Sequence, residues 1–307
     1  MAIIEVDGLT KRYGEHTTVN GVTFSVDRGE IFGIMGPNGA GKTTTVECIA
    51  GLRRRDAGTV RVGGVDPERD GAALRKLLGA QLQESELPDR IRVGEAMRLY
   101  SSFYGNPVDW RELLRALGLA EKTKTQFRRL SGGQKQRLSV ALALVGDPRV
   151  VVLDELTTGL DPQARRGVWE LVERIRDRGV TVLLVTHFME EAERLCDRLT
   201  VIDRGRVVAT DTPAALIESA GAMQTIRFRP SAPLDPGALE ALPEVTAIER
   251  AGEQFVVIGS GNVIAPVTAL LSSLGVEARE LRVEGTTLED AYVRLTGQSA
   301  GRTGDGS

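Results

Sequence analysis

Cysteine is scarce in this 307-residue sequence, which contains only Cys48 and Cys196. Neither lies at the short spacing from another cysteine or a histidine that a zinc site requires, and two distant cysteines do not make a disulfide framework. These absences exclude a metal-stapled or disulfide-rich secreted scaffold. Sparse cysteines are typical of a protein in a reducing compartment, so we expect a cytoplasmic location.

Long apolar runs are also missing. The longest, at 140–145 and 150–153, fall far short of the roughly 18 residues that a helix needs to cross a bilayer. The first residues include acidic side chains and lack the basic start and apolar core of a signal peptide. We therefore expect a chain that by itself neither spans the membrane nor is secreted.

Neither sign of charge dominates, because 39 Lys and Arg residues stand against 42 Asp and Glu residues. Most nucleic-acid binders carry a clear basic excess, so we expect no nucleic-acid partner. Arg53, Arg54 and Arg55 form one local basic cluster, which we interpret as part of a solvated loop after a helix.

The distribution of apolar residues predicts an α/β fold. Residues 31–35 and 150–153 are bare apolar runs typical of buried strands, and they alternate with helical patterns. The first 35 residues predict short antiparallel strands before this core. Residues from about 84 to 145 carry apolar positions three and four apart, which predicts a helical subdomain.

The pattern changes near residue 220. Residues 225–283 predict the order strand, helix, strand, strand, helix, strand, which is that of a split βαβ sandwich. We therefore expect a small ferredoxin-like α+β domain over 221–297, with a dimerisation or regulatory role. The last residues, 298–307, are small and polar and predict a disordered tail.

A glycine-rich segment, Gly36–Thr43, matches G-x-x-x-x-G-K-[ST] between a strand and a helix. Its glycines allow successive backbone N–H groups to wrap a phosphate at the helix N-terminus. Lys42 is suited to reach the β- and γ-phosphates, and the Thr43 hydroxyl is suited to bind Mg²⁺. The segment thus predicts ATP and Mg²⁺ as ligands. The residues expected to contact ATP are Gly36, Pro37, Asn38, Gly39, Ala40, Gly41, Lys42, Thr43 and Thr44.

Two carboxylates, Asp154 and Glu155, directly follow the apolar run at 150–153. Adjacent side chains of a strand point to opposite sides, so we expect different roles for the two residues. Asp154 suits the magnesium shell. Glu155 suits a general base that polarises the attacking water.

The most specific segment is LSGGQ, Leu130–Gln134, which lies between these two motifs. With it, the chain resembles the ATP-binding subunit of an ABC transporter over about residues 1–218. The resemblance implies an ATPase whose domain, 1–220, is a P-loop NTPase core of ABC type with an antiparallel β subdomain and a helical subdomain.

The resemblance also implies roles for single residues. Tyr13 looks like the aromatic residue that stacks on adenine, and His187 looks like the switch histidine, which acts in catalysis with Glu155. Gln83 looks like the glutamine that connects the Mg²⁺ and nucleotide site to the helical region. Gln81, two residues earlier on the same face, is the alternative.

In this family the LSGGQ segment binds the γ-phosphate of ATP held by another protomer. The residues implied in this contact are Ser131, Gly132, Gly133 and Gln134, together with Asp161 of the D-loop. The resemblance therefore implies a homodimer that sandwiches two ATP molecules. Leu82 and Leu156 stand where the family usually has proline, which leaves the local backbone less defined.

Further similarities indicate which kind of ABC protein this chain resembles. The segments at 186–198 and 285–297 and the appended domain resemble exporters of the daunorubicin-resistance type, which implies export of a drug or antibiotic-like compound. A separate membrane permease would dock near residues 87–105 and hold the chain at the inner face of the cell membrane. The alternatives are a polysaccharide or lipid exporter, an importer, and a soluble ATPase that acts on ribosomes or DNA.

Overall fold

The computed structural model describes residues 1–82, 87–219, 221 and 223–297. The predictions for Gln83 and for the tail at 298–307 lie outside these residues. Internal contacts divide the chain into two units, Met1–Pro213 and Ala214–Ser307.

The first unit begins with an antiparallel sheet of three strands in the order β2-β1-β4. Its strands are β1 (Ala2–Tyr13), β2 (His16–Asp27) and β4 (Ala57–Val62). β1 and β2 are each 12 residues long and are joined by a two-residue turn, so they are longer than the short strands predicted. Shifts of register absorb the residues that interrupt the alternating pattern, because a bulge lets a strand continue past an unpaired residue.

The second sheet of this unit has six strands in the order β5-β6-β7-β3-β8-β9. The strands are β3 (Ile31–Met35), β5 (Leu78–Gln81), β6 (Val150–Asp154), β7 (Thr181–Val185), β8 (Arg198–Asp203) and β9 (Arg206–Asp211). All pairings are parallel except that of β8 with β9. Every residue of β3, β6 and β7 is buried, which explains why these strands are apolar apart from Asp154 at the end of β6 and Thr181 at the start of β7. The carboxyl ends of these three strands lie at one edge of the sheet, where ligands of α/β proteins usually bind.

Helices connect the strands and form the region between β5 and β6. They are α1 (Lys42–Ile49), α2 (Gly71–Leu77), α3 (Val93–Ser101), α4 (Trp110–Ala116), α5 (Gly132–Leu144), α6 (Pro162–Asp177), α7 (Met189–Leu195) and α8 (Pro213–Ser219). The first residues of α8 lie at the boundary between the units. None of the helices in the described part of the chain is long and apolar enough to cross a membrane.

The second unit contains an antiparallel sheet of four strands in the order β11-β12-β10-β13. Its elements are β10 (Met223–Pro230), α9 (Pro236–Glu240), β11 (Val245–Ala251), β12 (Gln254–Ser260), α10 (Ile264–Ser273), β13 (Ala278–Gly285) and α11 (Leu288–Thr296). From β10 to β13 this is the element order of a split βαβ sandwich. Phe228 and Phe255 stack with their ring centroids 5.8 Å apart in its core.

Candidate active site

A cleft of about 470 Å³ lies at the carboxyl edge of the six-stranded sheet. Its size is in the range of small-molecule sites. The loops after β3, β6 and β7 contribute most of its wall. The lining residues are Thr18, Asn38, Gly39, Gly41, Lys42, Thr43, Thr44, Glu155, Thr158 and His187.

The loop between β3 and α1 depends on glycine at two close contacts. A Cβ atom at Gly36 would lie 2.1 Å from the carbonyl oxygen of Ile202. At Gly41 the backbone has φ 98°, and a Cβ atom would lie 2.5 Å from the carbonyl oxygen of Thr18. Both distances are shorter than any van der Waals contact, so any side chain at either position would displace the loop that wraps the predicted phosphates.

Lys42 brings a buried positive charge to this loop. Its side chain is 6% exposed, and its Nζ donates hydrogen bonds to the carbonyl oxygens of Gly36 at 2.7 Å and Pro37 at 3.0 Å. Burial lowers the pKa of Lys42, whereas the charges of Glu155 and Asp154 oppose that shift. The two carboxylates and the ammonium group therefore share one electrostatic environment, into which an anionic ligand would bring a further partner for Lys42.

Asp154, the last residue of β6, is a buried carboxylate. Its side chain is 1% exposed, and within the described residues neither oxygen has a hydrogen-bond partner. Burial, followed by the charge of Glu155, raises the pKa of Asp154 to about 6. An unpaired buried carboxylate is costly unless a cation compensates it. Oxygen ligands are those that Mg²⁺ prefers, so Asp154 fits a Mg²⁺ ligand, and Thr43 offers a hydroxyl in the adjoining cleft.

Glu155 differs from its neighbour in both exposure and backbone. It is partly exposed and lines the cleft, whereas Asp154 is buried. Its φ of 49° lies in the left-handed region, and its N–H donates to the carbonyl oxygen of Val185 at 2.9 Å. Non-glycine residues in this conformation are uncommon and concentrate at functional sites. The kink after β6 thus points two successive carboxylates in different directions.

His187 follows β7 and approaches Glu155 from the neighbouring loop. Its Nδ1 lies 3.2 Å from Oε1 of Glu155, within hydrogen-bond distance. The ring of Phe188 packs against the imidazole, with the two centroids 4.1 Å apart. The structure therefore brings together the carboxylate and the histidine that lie 32 residues apart in the chain.

Tyr13 lies at the end of β1 and is 42% exposed. Lys11 Nζ and Arg53 Cζ lie 5.7 Å and 5.3 Å from its ring centroid. Arg53 also pairs with Glu47 of α1. Tyr13 is not one of the residues that line the cleft, but its open ring with two flanking cations has the character of a stacking surface for an anionic aromatic ligand.

The LSGGQ residues lie away from this cleft. Ser131 caps α5, accepting a hydrogen bond from the N–H of Gln134, whose side chain accepts from Ser131 N–H in return. A Cβ atom at Gly132 would lie 3.2 Å from the Leu160 side chain, and one at Gly133 would lie 3.3 Å from Cβ of Ala164. The glycines thus allow close packing against the start of α6, where Asp161 caps the helix by accepting from Ala164 N–H at 2.9 Å.

Two residues that line the cleft were not identified from the sequence, and a third, Gln81, was named only as an alternative. Thr18 and Thr158 line the cleft. Gln81 is buried, and its Oε1 accepts a hydrogen bond at 3.2 Å from the N–H of Asp154, linking β5 to β6. The available signal for Gln81 was its position at the end of a short apolar strand, β5. Thr18 gave no signal, because only the tertiary fold brings β2 to the loop.

The two residues that replace the usual prolines both contribute apolar contacts. Leu156 is fully buried, and Leu82 packs against the hydrophobic core.

Comparison with known proteins agrees with this geometry. The family model described as "ABC transporter" matches residues 19–158. The Nod factor export ATP-binding protein I of Paraburkholderia xenovorans (strain LB400) is 42% identical, covering 97% of this chain and 98% of that protein. The protein of the same name from Ralstonia nicotianae (strain ATCC BAA-1114 / GMI1000) is 38% identical, covering 96% and 94%. A solved structure of the ATP-binding subunit of an ABC transporter has a TM-score of 0.64 at 30% identity, covering 71% of this chain and 92% of that one. The chain belongs to the family of ABC transporter ATP-binding subunits, which are ATPases.

Proposed function

We propose that this chain hydrolyses ATP in the cleft at the edge of the six-stranded sheet and thereby drives an exporter. The observation that carries the proposal is the meeting of Lys42, Glu155 and His187 around one cleft. A fixed cation, a carboxylate and an imidazole are the groups that phosphoryl transfer to water requires.

In this proposal Glu155 takes the proton of the water that attacks the γ-phosphate. Its hydrogen-bond distance to His187 Nδ1 allows the imidazole to hold the carboxylate in place. Lys42 exchanges its bonds to the loop carbonyls for phosphate oxygens. Thr43 and Asp154 would hold Mg²⁺, which would neutralise part of the phosphate charge. The exposed ring of Tyr13 stacks on the adenine of ATP.

We further propose that two copies of the chain complete each site. Ser131, Gly132 and Gly133 begin a 13-residue helix, and Ser131 and Gly132 are exposed. The N-terminus of α5, where these residues lie, favours a negatively charged ligand because of the helix dipole and its free N–H groups. Because they line no part of the cleft in their own chain, the phosphate that they contact would be held by the partner, as the resemblance implies.

An exposed apolar group at the end of α3 and just after it supports docking to a permease. Phe103 is 69% exposed and Leu99 is 48% exposed, and the ring of Tyr100 lies 5.8 Å from that of Phe103. Exposed apolar clusters of this kind mark protein interaction sites. We propose that a membrane permease covers this group and holds the chain at the cytoplasmic face of the membrane.

The exported compound is proposed from similarity. The two relatives compared above are named for Nod factor export. The resemblance to the daunorubicin-resistance type suggests a drug or antibiotic-like compound instead. We favour export of a small organic compound made in the cytoplasm.

The test is to purify the chain together with its permease and place the complex in vesicles with the ATPase outside. ATP should drive uptake of a drug-like probe such as daunorubicin, or of a Nod factor, and a Lys42→Ala complex should not. ATP-driven release of compounds loaded inside the vesicles would show an importer. ATPase activity with neither movement nor a membrane partner would contradict the proposal of a transport motor.

A further inference from the structure

Glu191 is a buried carboxylate that the proposed hydrolysis does not use. It lies in α7, four residues after His187, and is 1% exposed. Its Oε1 accepts a hydrogen bond at 3.0 Å from Nε1 of Trp169 on α6. Burial raises the pKa of Glu191, and the neighbouring Thr186, Trp169 and Thr157, with the charge of Arg165, oppose that rise. Such a group is costly to bury, so its retention at this place calls for an explanation.

A second contact joins the same face of α6 to the histidine. The guanidinium of Arg165 lies 4.6 Å from the ring centroid of Phe188, and Phe188 packs on His187 at 4.1 Å. Arg165 and Trp169 are four residues apart, so they lie one helical turn apart on one face of α6. This face therefore holds the segment that carries His187 at two points.

Helix α6 also begins at the proposed dimer surface. Asp161 caps it, and Ala164 packs against Gly133 at the start of α5. A displacement of the start of α6 would therefore reach the Arg165 and Trp169 face as a movement of one rigid helix. The Phe188 N–H in turn donates to the Thr186 hydroxyl at 3.0 Å, which ties the segment to the end of β7.

We propose that Glu191 is a positioning residue for His187. Through Trp169 it fixes the start of α7 to α6, so that contacts made by a second chain at Asp161 and Gly133 set the place of the imidazole beside Glu155. This inference rests on the proposed roles of Glu155 and His187 and adds the path by which the dimer contact reaches them.

The experiment compares kcat, KM and the ATP dissociation constant of the full chain with those of matched variants. Trp169→Phe removes the N–H and keeps an aromatic ring, and Glu191→Leu removes the acceptor. Each should lower kcat about tenfold at an unchanged ATP dissociation constant. Glu191→Gln keeps a carbonyl acceptor and should retain most of kcat. Trp169 and Glu191 form one contact. The kcat of the Trp169→Phe/Glu191→Leu double variant should therefore be no lower than that of the less active single variant.

Controls separate positioning from general loss of packing. Val172→Ala opens a cavity in the buried face of α6, and Arg194→Gln removes the cation 5.2 Å from the Trp169 ring while sparing its N–H. Both should keep the parent kcat. Any of three results would overturn the inference. The first is a parent-like kcat in Trp169→Phe, and the second is a double variant in which the two losses of kcat multiply. The third is a kcat of Glu191→Gln as low as that of Glu191→Leu. Should Glu191→Leu not fold, Trp169→Phe and Glu191→Gln still decide it.

The inference and the proposed function fail in different ways. Full hydrolysis by a Glu155→Gln chain would overturn the proposed roles at the cleft themselves. An inactive Glu155→Gln chain beside fully active Trp169→Phe and Glu191→Leu chains would overturn only the positioning role.

Discussion

At the scale of single residues, Asp154 is buried at a cost to the stability of the folded chain. Its carboxylate is buried without a hydrogen-bond donor among the described residues. A pKa raised from 3.8 to about 6 means that the folded state favours the protonated form. The folded state therefore loses stability as the pH rises from 3.8 to 6, and the full cost is present above pH 6. An amide of the same shape would not carry this cost.

We expect Asp154→Asn to stabilise the nucleotide-free chain at pH 8 by on the order of 1 to 3 kcal/mol. The gain should shrink at pH 5, where the parent carboxyl is largely protonated. The variant should also lose the added stability that Mg²⁺ brings to ATP binding. Thermal unfolding at both pH values, with ATP and with or without Mg²⁺, measures all three effects. A variant less stable than the parent at pH 8 that keeps the Mg²⁺ effect would contradict this assignment.

At the scale of elements, what the sequence predicts well is local. The apolar runs at 31–35 and 150–153 mark β3 and β6, and the glycine motif marks the start of α1, so these elements and the part of the cleft that they form follow from short segments. The bonding of Gln81 to Asp154 and the place of Thr18 depend on contacts between distant segments, which no local pattern encodes. The full length of β1 was missed for a related reason, because bulges let a strand cross positions that break the alternation.

The end of α3 yields a prediction of its own, because Phe103, two residues after this helix, belongs to the proposed permease contact. Phe103→Asp should abolish co-purification with the permease, since a charge would have to be buried in the contact. The dissociation constant for ATP should not change, because Phe103 does not line the cleft.

Val208→Asp is the matched control for Phe103→Asp. Val208 is an exposed apolar residue of β9, 39% exposed, and the same charge there should leave co-purification intact. Retention of the permease by the Phe103→Asp chain would show that docking takes place on another surface.

At the scale of the whole molecule, the phosphate loop and the LSGGQ residues occupy separate surfaces of one chain. The cleft is surrounded by the glycine-rich loop Gly36–Thr43, Glu155 and His187. The LSGGQ residues Ser131–Gly133 instead pack at the start of α6. The composite site that we propose therefore requires a second copy of the chain. ATP binding should therefore drive association of two chains into a dimer, and ATP hydrolysis should let the dimer dissociate.

The most direct test of this mechanism combines turnover and gel filtration on Glu155→Gln with Mg-ATP. Loss of the general base should reduce turnover on the order of 10²- to 10⁴-fold while ATP stays bound, so dimers should accumulate. The control Glu121→Gln makes the same change at an exposed carboxylate and should behave like the parent. Hydrolysis by Glu155→Gln near the parent rate, or a chain that remains monomeric with ATP, would contradict the mechanism.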